Sequence, residues 1–380
     1  MIENIFSRID KWATPKGEPI ANGRSSHVKI KVVGVGGAGG NAVVRMLDKG
    51  LGGVAGLSLN TDVQALSRRV GIRSFAIGPE TTKGMGSGGR PEVGRKAIKE
   101  SQRQVAELLA GTDLVFVTCG MGGGTGTGAA PVVADIARRQ GALTVGVVTL
   151  PFSFEGPNRR KVAEQGIVTL RQKVDTLIAV ENDRLLPSLA GEVSLAKALE
   201  AADEVLHQGV RGISELITLS GMINVDFADV RSIMTNGGPS FLATGEGKGK
   251  WAAMDAARQA LANPLFDAPI KGAAGILFNV TGGKDLTLGQ VHEVAEVIGK
   301  AAGTEANVIF GVRQDVKMKK RVRITLVATG IRSAYGDLEP PDEVAPDVQG
   351  MSEDELAELL ARSAVNGNGG GEVGPTRRLL

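Results

Sequence analysis

The chain has little of what metal and redox enzymes use. A single cysteine, Cys119, among 380 residues forbids an intrachain disulfide and leaves thiol exchange without a second sulfur. Three histidines, His27, His207 and His292, lack ligand spacing, so no metal centre built from side chains is expected. Charge of one sign is also missing: 44 Lys and Arg stand against 41 Asp and Glu, a formal +3, which argues against nucleic acid as a partner. No run approaches the ~18 consecutive apolar residues of a membrane span, and the N-terminus has neither the apolar stretch nor the cleavage site of a signal peptide. A cytoplasmic protein of about two domains is expected. What the sequence does hold is glycine, 54 residues, about twice the usual ~7%. The glycines gather between apolar runs, as they do where backbone must approach a ligand closely.

From Val28 the chain alternates short β-branched runs (VKIKVVGV, LSLN, SFAIG, DLVFVTCG, LTVGVVTL, TLIAVEN) with segments such as 92–109 and 132–140 that read as helices. Alternation of this kind predicts an α/β fold with a parallel sheet covered on both faces. A long helix is expected over 194–220, with Leu195, Leu199, Ala202, Leu206, Val210, Ile213 and Ile217 recurring at steps of three and four. Residues 221–331 hold a second α/β group with strands GILFNV, NVIFGV and RVRITLVAT, read as a smaller sheet with at least one antiparallel pairing. The expected division is an N-terminal extension (1–27), a nucleotide-binding domain (28–193), the central helix, a C-terminal domain (221–331), an acidic linker (332–351) and a short amphipathic helix with the tail (352–380).

Three glycine segments carry the chemistry. The first, Gly34 to Asn41, follows a strand and opens a helix, where unpaired N–H groups and a partial positive charge favour an anion. Gly34, Gly36 and Gly39 also match the dinucleotide fingerprint, with Asp62 near the place of a ribose-binding acid, so an NAD-dependent oxidoreductase is an alternative at this point. The second, Gly120 to Gly128, repeats the arrangement on the same sheet and adds the hydroxyls of Thr125 and Thr127. A dinucleotide fold does not require it. The third, Lys83 to Pro91, precedes another helix; alone it reads as a flexible turn, one that could close over a terminal phosphate. The Walker sequence is absent. Beyond the long helix, Asn224, Asp226 and Asp229 offer two carboxylates three residues apart, suited either to orienting a water or to capping the next helix.

GMGGGTGTG at 120–128 resembles the signature loop of the tubulin and FtsZ superfamily. GVGGAGGNAV, NTDVQAL, PFSFEG, ENDRLL and NVDFADVR are similar, in order, to segments of its bacterial FtsZ branch, over about Val28 to Ile331. The resemblance implies a GTPase that binds GTP and GDP, with Mg2+ held mainly by phosphates and water, and that polymerises with itself head to tail into the division ring under the inner membrane. It implies that Gly37, Ala38, Gly39, Gly40, Asn41, Gly124, Thr125 and Gly126 hold phosphates. Glu155 and Arg159 would contact the ribose and its surroundings, and Asn182 and Asp203 would read guanine. Asp226, Asp229 and Asn224 would act on a neighbour's nucleotide, and the C-terminal tail would bind membrane-tethering and regulatory division proteins. Ser87 and Arg90 stand where the family usually has alanine and asparagine, and the ending EVGPTRRLL is only loosely similar to the family's terminal peptide. A structural filament that does not hydrolyse is the remaining alternative.

Overall fold

The computed structural model describes residues 28–67, 71–188, 194–219, 221–262, 270–303 and 305–331. The N-terminal extension, the acidic linker, and the helix and tail expected after it lie outside the described residues. The β-branched runs become strands β1 (Ile30–Val35), β2 (Val54–Asn60), β3 (Arg73–Ala76), β4 (Leu114–Gly120), β5 (Leu143–Leu150) and β6 (Thr176–Glu181), which pair in parallel in the order β3-β2-β1-β4-β5-β6. Parallel strands need crossovers, and these are helices α1 (Gly36–Asp48), α2 (Pro91–Glu100), α3 (Gln102–Leu109), α4 (Gly124–Arg139) and α5 (Pro157–Arg171). The near-continuous burial of β4 and β5 follows, since both of their faces are covered.

The segment expected as one helix over 92–109 is two. Ser101 breaks it, and its Oγ accepts a hydrogen bond from Gly78 N at 3.0 Å, a use of the hydroxyl that competes with continuing the helix. The first two glycine segments are not loops before helices but largely the helices' own first turns: α1 starts at Gly36 and α4 at Gly124.

The long helix α6 spans Leu195–Thr218, with Ser194 Oγ capping it by accepting from Lys197 N at 3.4 Å. Its stripe of Leu206, Val210 and Ile213 packs with Val32, Phe116, Val147 and Ile178 on one face of the sheet. Leu195 and Leu199 depart from the expected face and are exposed; the buried positions in those turns are Ala198 and Ala202.

The later strands do not form a separate sheet. β7 (Gly238–Lys248) joins β6 in parallel through Thr176–Ile178 and continues the sheet to β10 (Arg321–Thr329), β8 (Gly275–Gly282) and β9 (Asn307–Gln314), ten strands in the order β3-β2-β1-β4-β5-β6-β7-β10-β8-β9. β10 is antiparallel to both β7 and β8, and β8 is parallel to β9. Helices α7 (Phe227–Met234), α8 (Ala252–Leu261) and α9 (Leu288–Ala302) complete the second half. Alternation of period two sends Phe278 and Ile324 toward α8 and α9, and Leu277 and Val327 toward the α6 face.

Candidate nucleotide site

The glycine segments meet at the C-terminal edge of the parallel strands, where open α/β sheets bind ligands. Gly36 follows β1 directly with φ +77°, and a Cβ there would stand 3.0 Å from Gly126 N, so the starts of α1 and α4 abut. A side chain at Gly36 would push the two helix ends apart. The remaining glycines separate into two kinds. At Gly39 a Cβ would lie 2.3 Å from Thr118 O, at Gly126 2.9 Å from Gly120 O, and at Gly124 2.3 Å from Ser87 Oγ and 2.6 Å from Arg90 N. Packing alone demands these three. At Gly37 and Gly123 a Cβ would meet nothing within 4 Å among the described residues. These two positions open the cradle, and Gly123 is the one that the sequence reading passed over.

The third glycine segment is tied into this floor. Thr125 Oγ1 bonds Thr61 Oγ1 at 2.7 Å and Ser87 Oγ at 3.0 Å, and Gly86 N donates to Thr61 O at 3.1 Å. The two hydroxyls expected to face a phosphate therefore have structural partners, for Thr127 Oγ1 likewise accepts from Gly122 N at 2.9 Å. Beside these hydroxyls, which can each still donate or accept a further bond, an anion meets backbone at two helix starts without a side-chain cap among the described residues. Ala38 and Asn41 are exposed beside Gly37, and Gly40 is buried behind it.

Arg159 packs on the second segment, since a Cβ at Gly122 would lie 2.7 Å from Arg159 Cγ. Glu155 Oε2 pairs with Arg159 Nη1 at 3.1 Å, while Glu155 Oε1 accepts from Phe152 N at 2.9 Å and fixes the turn after β5. Next to it, Ser153 N donates to Asp183 Oδ1 at 2.9 Å, which brings the turn at Asn182–Ser188 alongside. Asn182 is 5% exposed and its Oδ1 has no hydrogen-bond partner among the described residues. An orphaned buried amide oxygen costs about 1–3 kcal/mol, and an N–H-bearing ligand edge relieves it. The turn packs on α6, which carries Asp203. Burial pushes the Asp203 carboxyl up from the ordinary carboxylate range, and the Arg45 guanidinium paired with it offsets part of that rise. Arg45 gave no sequence signal, being one basic residue on a mixed helix face. Cys119 lies buried in β4, where burial pushes its thiol up to about 12, so it stays protonated and has no part in the chemistry.

Asn224, Asp226 and Asp229 are elsewhere. Asp226 caps α7, accepting from Asp229 N at 2.8 Å, and Asp229 Oδ2 accepts from Asp226 N at 3.3 Å. Asn224 Oδ1 accepts from Gly221 N and shapes the turn before them. On either side of this turn the chain touches the N-terminal edge of the parallel strands. A Cβ at Gly53, just before β2, would lie 3.3 Å from Thr218 Cγ2, and Arg231 Nη2 donates at 2.9 Å to Gly141 O, just before β5. The carboxylates and the glycine cradle thus occupy opposite ends of the sheet.

A family model described as the Tubulin/FtsZ family, GTPase domain, matches residues 29–190, and one described as the FtsZ family, C-terminal domain, matches residues 238–332. A point mutant of FtsZ from M. jannaschii is 40% identical over 87% of this chain and 95% of its own, with a TM-score of 0.76. The chain belongs to the tubulin/FtsZ family. A second structure of M. jannaschii FtsZ, described as an empty dimer, is 38% identical over 90% of this chain and 99% of its own, with a TM-score of 0.75. CetZ2 from Haloferax volcanii, described as a GTPγS-bound protofilament, shares the fold at 23% identity and a TM-score of 0.69, over 89% of this chain and 98% of its own. Membership makes the first half a GTPase domain and the bound nucleotide a guanine nucleotide, which removes the oxidoreductase reading. Among the described residues, no helix of this family member is long and apolar enough to cross a membrane.

Proposed function

We propose that the protein is a self-assembling GTPase whose active site is completed only between two copies. The observation that carries this reading is the separation of the two functional groups: a glycine cradle at one end of the sheet and the Asp226–Asp229 pair at the other. In the cradle, Gly37, Gly123 and the first turns of α1 and α4 hold the phosphates by backbone N–H groups. Mg2+ is held mainly by the phosphates and water. Glu155 and Arg159 flank the ribose, and Asn182 and Asp203 take the guanine edge. A second copy, stacked end to end, brings its Asp226 and Asp229 to the terminal phosphate. There they orient a water and accept its proton as its oxygen bonds to phosphorus and the bond to the bridging oxygen breaks, leaving GDP and inorganic phosphate. Exposed apolar side chains suit such a contact at both ends, Val63, Met85 and Phe154 beside the cradle and Leu219, Met222 and Ile223 beside the carboxylates. A contact between unlike ends propagates into a filament when its rotation does not close. In a cell, such filaments at the division site under the membrane, attached through the C-terminal tail, would form a septal ring. The dimer described for M. jannaschii FtsZ supports self-association.

Calorimetric titration of the purified protein with GTP, ATP and NAD, followed by phosphate release across a range of protein concentrations, tests the reading. GTP alone is expected to bind tightly, and activity per molecule is expected to rise with concentration. A flat specific activity across the assembly range overturns the shared site.

Base selection gives a separate prediction. Asp203→Asn replaces two acceptors by one acceptor and one donor, so preference for GTP over ATP is expected to fall by about tenfold or more, while XTP, which has an oxygen where guanine has its amine, gains. Competition binding with the three nucleotides measures it. Unchanged preference removes Asp203 from the base site and leaves it as the half-buried partner of Arg45.

A further inference from the structure

The strands after the long helix end together at an edge that the nucleotide chemistry does not use. Lys248, the last residue of β7, faces Arg321, the first of β10, and Gly282, the last of β8, lies between Val322 and Gln314. The turns leaving these strands are bonded to one another. Gly249 N donates to Lys320 O at 2.8 Å, Asp315 N to Gly282 O at 2.8 Å, and Lys320 N to Asp285 Oδ2 at 3.1 Å. From this shared surface stand three large apolar side chains, Trp251 at 61% exposure, Leu288 at 83% and Val316 at 60%. Lys248, Lys250, Lys284, Lys317, Lys319 and Lys320 surround them, all exposed and none in an ion pair among the described residues. Lys250 Nζ sits 5.2 Å from the centre of the Trp251 ring.

Little at the edge neutralises this charge. Glu246 is shared by Arg323 at 2.6 Å and Arg321 at 3.8 Å, and Asp285 and Asp315 accept from the backbone N–H groups of Lys320 and Lys317. With Asp255, eight bases meet four acids here, an excess of four on a chain whose total is +3. Apolar side chains rimmed by unpaired charge of one sign mark an interaction surface for something acidic and partly apolar.

The same chain carries that complement. From Asp337 to Glu358 there are nine acids and no base, interleaved with Leu338, Val344, Val348, Met351 and Leu356. Its attachment is within reach. β10 runs away from the basic edge over Arg321–Thr329, about 30 Å at ~3.3 Å per residue, and the eleven residues from Arg332 to Asp342 extend up to ~36 Å. Attachment by so short a connection gives a local concentration on the order of millimolar. The geometry points to docking of residues 342–358 in cis on this edge, the carboxylates against the lysines and the apolar residues against Trp251, Leu288 and Val316.

Zero-length carbodiimide coupling of the full-length protein, below its assembly concentration and at low salt, tests the docking. Amide links are expected between Lys250, Lys317, Lys319 or Lys320 and carboxylates within 342–358. The yield is expected to fall about fivefold or more at 1 M salt, where the screening length is ~3 Å. Lys317→Glu, Lys319→Glu and Lys320→Glu together remove the links without touching the core, since all three are exposed. In a mixture of isotope-labelled and unlabelled protein, every link joins residues of one copy. Links between copies overturn the cis arrangement, and absence of links, or links spread evenly over lysines elsewhere, overturns the docking itself. Flotation on phosphatidylserine vesicles that the triple variant loses, without any such link, assigns the edge to lipid and overturns it as well.

Discussion

Asp226→Ala and Asp226→Asn are both expected to bind GTP as the unchanged protein does and to lose about 10²-fold or more of turnover, the loss typical of a positioned proton acceptor. The pair of variants is needed because Asp226 also caps α7, within a reciprocal box with Asp229. Removing a cap costs about 1 kcal/mol and loosens the turn. Asparagine keeps the cap, for its amide oxygen accepts from Asp229 N as the carboxylate does, but it does not accept a proton from water. If the asparagine variant turns over at the unchanged rate and only alanine is impaired, Asp226 is a cap and nothing more. The location of the residue adds a second expectation that an ordinary GTPase does not share. Asp226 stands at the opposite end of the sheet from the cradle, so mixing Asp226→Asn with a variant unable to bind GTP should restore part of the activity. In such a mixture some interfaces join an intact carboxylate pair to an intact nucleotide site. A mixture no more active than its components means that the carboxylates do not work across an interface.

Most of the first six strands and the long helix were legible because burial on both faces leaves plain apolar runs, and a helix lying across a sheet keeps a strict stripe. β7 was not. GPSFLATGEGK holds a proline and three glycines, a composition that reads as a turn, yet a Cβ at Gly245 would lie 2.0 Å from Ala256 O and at Gly247 1.9 Å from Ala252 O. Those glycines are there because the backbone of α8 rests directly on the strand, a tertiary demand that no local pattern reveals. The same distinction governs the candidate site. Glycine clusters in sequence correctly marked where two helix starts converge, but not which glycines answer to neighbouring backbone and side chains, as Gly39, Gly124 and Gly126 do, and which face open space, as Gly37 and Gly123 do. Arg45 was invisible for a different reason: its partner Asp203 is 158 positions away, on a helix whose contact with α1 only the fold defines.

Gly123→Val is expected to abolish tight GTP binding while leaving the fold intact. Gly123 has φ −93° and ψ 172°, extended backbone that a β-branched residue adopts readily, and its Cβ direction is open for 4 Å. Valine therefore disturbs nothing in the protein alone. It fills the space that a phosphate must enter to reach the first amides of α4, and excluding two charge-assisted hydrogen bonds at about 1.5–3 kcal/mol each weakens binding by at least ~10²-fold. Gly124→Val gives the contrast, because its side chain would drive into Ser87 Oγ and the Arg90 backbone within 3 Å and displace the third segment whether or not nucleotide is present. Thermal unfolding without nucleotide separates the two. The midpoint of Gly123→Val should match that of the unchanged protein, and that of Gly124→Val should fall by several degrees, as a destabilisation of about 1–3 kcal/mol implies for a chain of this size. Calorimetry with GTP then reads the binding loss at Gly123 free of any folding defect. If Gly123→Val binds GTP with unchanged affinity, the phosphates do not lie over the start of α4, and the cradle has to be assigned to the start of α1 alone.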